Sequence, residues 1–145
     1  MATLKVNNKQ LQLIQAALDL YTRIGIGQFN VIKEHPTFEK HLTQELVDET
    51  GNTGYNHYHR TRDAVDSLLV HPRNMLMNEP HQPRNGSWGI HNKKVDESCR
   101  EAFDILQTIR HEFWKSNNER SNVSVNSHIH LCSKKLEPIE VELDK

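Results

Sequence analysis

Val95, Cys99, Ala102, Leu106, Ile109 and Phe113 recur at intervals of three and four residues, and no other pattern in the chain constrains the fold as strongly. Such spacing specifies a helix with one continuous core-facing side. Asn92, just ahead of the stripe, is of the residue type that caps a helix N-terminus. We read this helix as the spine against which the rest of the chain packs. At 145 residues the chain matches the common domain size of about 100–150 residues, so residues 1–145 are expected to form a single domain.

The remaining segments are read by the same periodicities. Leu4 and Val6 alternate with polar neighbours, the pattern of a short strand. Asn7 and Gln10 have capping-box spacing. After them Leu11, Ile14, Leu18 and Tyr21, with Ala17 and Ile24 alongside, mark the buried stripe of a first helix that ends or kinks at Gly25 and Gly27. A short segment follows and stops before Pro36, since a residue preceding proline is pushed out of helical geometry. Phe38, Leu42 and Leu46 then predict a second helix from Pro36 to near Thr50, and the turn formers of 51–56 predict a loop. A third helix is expected over 57–70, with Val65, Leu68 and Leu69 sharing a face and Arg60, Arg62, Asp63 and Asp66 on the remainder. From Asn122 the period changes to two, and Ile139, Val141 and Leu143 alternate with acidic residues. The fold class expected is therefore α+β: about four helices packed on a small antiparallel sheet made by the carboxy-terminal hairpin, with the amino-terminal strand a candidate third member.

Several function classes are disfavoured by composition. A net charge of −1 lacks the basic excess of a chain that coats nucleic acid. The amino terminus has no signal-peptide pattern, and no run approaches the ~20 apolar residues of a membrane helix, so the expected compartment is the cytoplasm, without membrane attachment. Cys99 and Cys132 are then expected as reduced thiols. Ten histidines raise metal and catalytic readings. His128, His130 and Cys132 would share one face of a strand, which suits zinc, but no further ligand lies at a fixed spacing. His57 and His59, two apart, make a poor pair on a helix. His59-Arg60-Thr61 and His128-Ile129-His130 partly match paired-histidine phosphoesterases, yet the second lacks the hydroxyl residue. His111-Glu112 has Lys115 where a zinc protease has its second histidine, and the glycines near residue 26 lack the third member of a phosphate loop. No catalytic residue, metal or cofactor is assigned.

The segment 71–92, HPRNMLMNEPHQPRNGSWGIHN, reads as a long loop between two helices, and loops of that length are more often functional or disordered than inert. Arg60, Arg62, Arg73 and Arg84 offer planar donor forks suited to phosphate, and Tyr58 and Trp88 offer faces on which a base can stack. These six are the candidate ligand-binding residues. The bland alternative makes the arginines surface ion-pair members and Trp88 a plug that closes the loop on the core.

The runs LQLIQAALDLYTRIGIGQF, RDAVDSLLVHPRNMLMNEP and VDESCREAFDILQTIRHEFWKSN resemble a group of small accessory proteins encoded by tailed bacteriophages. The resemblance covers most of the chain and carries over no functional residue. It implies a setting in the host cytoplasm, where such proteins bind a host protein or capture or degrade a nucleotide signal of host defence. The expectation is thus a counter-defence protein that binds and sequesters a phosphate-containing nucleotide. The alternatives are an inhibitor that binds a host protein, which would use the loop or an exposed helix face, and a histidine-dependent phosphodiesterase. Phe113 and Trp114 at the end of the spine helix could supply a symmetric contact, so a homo-oligomer is expected.

Overall fold

The computed structural model describes residues 4–37, 55–78, 86–116, 132–133 and 141, with side chains left aside over 55–61. Three α-helices, α1 (Asn8–Gly25), α2 (Tyr55–Met77) and α3 (Glu97–Ser116), and one 3-10 helix (Phe29–Glu34) account for 73% of them. The described residues contain no strand, so the expected α+β class is overturned in favour of a helical one. Residues 4–7 are irregular: Asn7 is committed to the helix that follows, and Leu4 has no surface to pack on. Of the expected carboxy-terminal hairpin, Cys132, Ser133 and Val141 are irregular and the rest lies outside the described residues. The second expected helix lies outside them too, except for Pro36 and Thr37, which are helical.

The chain divides into two compact units, one of Met1–Gly25 with Gly89–Lys145 and the other of Ile26–Trp88. In the first, α1 packs on α3. α1 starts at a reciprocal capping box: Gln10 N–H donates to Asn7 Oδ1 at 2.9 Å and Asn7 N–H donates to Gln10 Oε1 at 2.9 Å. Its buried side runs through Leu11 and Thr22, with Ile14 and Leu18 half-buried, while Ala17 and Tyr21 face outward. The stripe is therefore turned by one position from the expected one, and Tyr21 instead shares a hydrogen bond with Ser98 Oγ at 2.8 Å. At its end α1 meets the start of α3 so closely that a Cβ on Gly25 would lie 2.1 Å from Cys99 Sγ. Glycine is the one residue that allows this approach.

α3 has the core-facing stripe that its periodicity predicted, and within the first unit α1 packs on it. Val95, Cys99, Ala102, Leu106 and Ile109 are all buried, and so, on another side of the helix, are Asp104 and Thr108. Its cap is Asp96, whose Oδ1 accepts the Ser98 N–H at 2.9 Å. Asn92 stands four residues too early and closes a preceding turn instead, accepting the Lys94 N–H at 3.0 Å. Arg100 holds that turn to α3, donating to the carbonyls of Ile90 at 3.3 Å and Asn92 at 2.8 Å.

In the second unit the 3-10 helix packs on α2. Gly27, at φ +85°, turns the chain in the left-handed region that favours glycine. Beside it the Ile26 carbonyl accepts the Trp88 N–H at 2.9 Å. Val31, Met77 and Trp88 form the apolar core of this unit, joined by the ion pair of Lys33 with Asp66. The 3-10 helix stops at His35, which is extended (ψ 134°) ahead of Pro36, as the proline rule requires.

Candidate functional site

α2 runs seven residues past its expected end, through Pro72 to Met77, so the expected loop begins within a helix. Proline cannot donate to the carbonyl four residues back and its ring crowds that carbonyl, which usually breaks a helix. Here Leu68 and Pro72 both lie on the solvent side, where water can satisfy the released carbonyl, and the opposite side gains the burial of Arg73 and Met77. Asn78, at φ +51°, ends the helix in the left-handed conformation that asparagine tolerates.

The inward seam of α2 passes through Val65, Asp66, Leu69 and Val70, which are half-buried, and Arg73 and Met77, which are buried. Asp66, expected on the polar side, instead pairs with Lys33, the two side chains being only 11% and 12% exposed. Leu68, expected beside Val65 and Leu69, points the other way. It is 75% exposed, and Met75 and Leu76 on the same side are 70% and 53% exposed. Ala64, Ser67, His71 and Pro72 complete this outward face, so α2 carries a second apolar stripe from one of its turns to the last. Among its exposed positions from 64 to 76 there is no aspartate, glutamate, lysine or arginine.

The six expected ligand-binding residues are distributed as follows. Tyr58 and Arg60 belong to α2, with their side chains outside the described residues, as is Arg84 altogether. Arg62 is half-buried on α2. Arg73 is 2% exposed; it donates to Asn74 Oδ1 at 3.0 Å and to the Gly86 carbonyl at 3.4 Å. Trp88 is buried in the same unit. Arg73 and Trp88 thus tie residues 86–88 to α2 and the turn at Gly27, which are packing tasks. Arg73 also lines a depression with Phe29, Asn30, Asp66, Leu69 and Val70, which has room for about one water molecule. Ligand pockets for drug-sized molecules span roughly 300–1,000 Å3.

In the first unit, Asp104 is fully buried and its two oxygens accept the backbone N–H groups of Cys132 and Ser133, both at 2.7 Å. Cys132 Sγ lies 3.8 Å from His91 Nε2. Burial pushes the Cys132 thiol pKa up, and the negative charge of Asp104 adds to the rise. Burial likewise raises Cys99, with a further push from Asp96. Both shifts favour the neutral thiol over the thiolate. Neither forms a disulfide. Among the described residues no three histidine, cysteine or acidic side chains are grouped to hold a metal, and His128 and His130 lie outside them. Trp114 stacks on His111 with ring centroids 5.5 Å apart, and it and Phe113 are half-buried.

What the sequence reading missed is the outward stripe of α2. Its signal was present as Leu68, Met75 and Leu76 at helical spacing, but ending the helix at Val70 assigned the last two to a loop. No helix among the described residues is long and apolar enough to cross a membrane. No family model, curated protein or solved structure matches the chain.

Proposed function

We propose that this chain acts by binding a protein, and that its working contact is the outward apolar face of α2. The observation that carries this reading is the exposure of Leu68, Met75 and Leu76 on a helix whose other side carries the buried Arg73 and Met77. Single exposed apolar residues are ordinary, whereas the largest contiguous apolar patch of a monomer, typically a few hundred Å2, is often functional. The resemblance to phage accessory proteins supports a partner in an infected host. The test is photo-crosslinking in cells, with p-benzoylphenylalanine at position 68 or 75 and, as control, at the exposed Gln12 of α1. Protein adducts from positions 68 and 75 and none from 12 are expected; no adduct from 68 or 75 overturns the reading.

Sequestration of a phosphate-bearing nucleotide is the second reading, favoured by Arg73 and Asn30 in the lining of the depression and opposed by the carboxylate of Asp66 there. It ranks lower because the depression takes about one water. Native mass spectrometry of the chain with cyclic and ADP-ribose-type nucleotides tests it, and a spectrum without adducts removes it.

A further inference from the structure

The depression between the 3-10 helix and α2 has a buried carboxylate in its lining. Asp66 Oδ2 takes the ammonium of Lys33, whereas Asp66 Oδ1 is buried and finds no hydrogen-bond partner among the described residues. Buried acceptors in folded proteins are almost always satisfied, by protein or by water. Asn30 and Arg73 line the same space, which takes about one water molecule. We infer that the depression is a binding site for a single ordered water, which donates one hydrogen bond to Asp66 Oδ1 and shares a second with the carboxamide of Asn30.

Charge decides the class of ligand. A cation at Oδ1 would add a third positive charge, beside Lys33 and Arg73, to a single carboxylate. An anion would meet Oδ1 at contact distance, and repulsion would add to the cost of desolvating it. A neutral molecule that both donates and accepts meets neither penalty, and the room available admits none larger than water. Phe29, Leu69 and Val70 wall the rest of the depression with apolar groups. Asp66 and Asn30 nevertheless supply the two polar partners that a buried water needs at the least. The water then ties Asn30 of the 3-10 helix to Asp66 of α2, alongside the Lys33 ion pair, so both oxygens of one side chain hold these elements together. This inference is independent of the protein-binding reading and weighs against the nucleotide one, since a phosphate has neither the room nor the sign of charge for the site.

Crystallography of the full chain, at a resolution that shows ordered solvent, tests this, with crystals grown in potassium chloride and anomalous data collected at long wavelength. One solvent peak within hydrogen-bond reach of Asp66 Oδ1 and Asn30, without anomalous signal, is expected. An anomalous peak there, marking chloride or potassium, overturns the inference, as does an empty depression or a protein N–H bonded directly to Oδ1. Thermal denaturation supplies a test that needs no crystal. Val70→Ile places a methylene in the water's space and leaves Oδ1 without its donor, so the Tm should fall by about 3 °C or more. In a Lys33→Met, Asp66→Ala background, checked for unchanged helicity by circular dichroism, no carboxylate needs the water, and Val70→Ile should leave the Tm unchanged or raise it. A Tm that holds or rises when Val70→Ile is made in the wild type, as on filling a dry cavity, overturns the inference. An equal fall in both backgrounds, the mark of simple overpacking, does the same.

Discussion

α2 and α3 are of similar length, yet they use their side chains in opposite ways. α3 is covered on almost every side, and its polar residues serve packing: Asp104 anchors residues 132–133, and Arg100 holds the turn at 90–92. α2 buries one seam, which includes a charged pair and an arginine, and leaves leucine and methionine in solvent. Burying polar groups while exposing apolar ones reverses the usual division. A helix of the α3 kind answers to the fold alone. One of the α2 kind answers to the fold on one side and to something outside it on the other.

The comparison breaks most readily at Asp104. Asp104→Ala leaves two part-buried N–H groups without their acceptor and removes charge-assisted bonds, so a loss of about 3 kcal/mol is expected in urea denaturation. A loss under about 1 kcal/mol would mean that the clamp on residues 132–133 contributes little. The same helices can be compared leucine against leucine. Leu106→Ala removes a fully buried side chain and should cost about 3 kcal/mol, whereas Leu68→Ala should change stability by no more than about 0.5 kcal/mol. Equal costs would place Leu68 in a core and end the case for an outward stripe. Lys33→Met leaves Asp66 charged and nearly buried, at a cost of about 3 kcal/mol. Combining it with Asp66→Leu should recover most of that loss, because the pair is then replaced by apolar packing.

The parts of the fold legible in the sequence were those that local chemistry decides. The capping box at Asn7 and Gln10, the end of α1 at Gly25 and the stripe of α3 depend on residues within a turn or two of one another, and the structure has all three. Misread features were decided by distant partners. Pro72 breaks a helix by local rules, yet α2 continues because Arg73 and Met77 find a core on the far side. Asp66 is polar by type but buried by its pairing with Lys33, 33 residues away. Arg73 and Trp88, chosen as ligand groups because their side chains can bind phosphate and bases, are both buried within the second unit, a placement that side-chain chemistry alone does not reveal. The strands were inferred from a period of two, which at residues 4–7 was too short to outweigh the cap that follows.

Smaller effects sharpen the description of α1 and α3. Thr22 is buried on the packed side of α1 and its hydroxyl finds no hydrogen-bond partner. Thr22→Val keeps the shape and removes that group, so a gain of about 1 kcal/mol is expected by thermal denaturation. A loss instead would mean that the hydroxyl is satisfied in solution.

Titration offers the smallest and most local test of the α3 environment. Cys99 and Cys132 have thiol pKa values raised by burial, so the folded chain holds these protons more tightly than the unfolded one. Their contribution to stability is complete below the unfolded thiol value of about 8.5 and is lost as pH rises through the folded values. Asp96 shifts the other way, lowered chiefly by the Ser98 hydroxyl that donates to it. Its contribution is present above the unfolded carboxyl value and is lost as pH falls through the folded one. Iodoacetamide at mildly alkaline pH should therefore alkylate both cysteines more slowly than a free thiol, with the half-buried Cys132 ahead of the buried Cys99. If Cys99 reacts first, the close seam between Gly25 and Cys99 opens more readily than the clamp at Asp104 releases, and α1 rather than residues 132–133 is the looser cover of the spine.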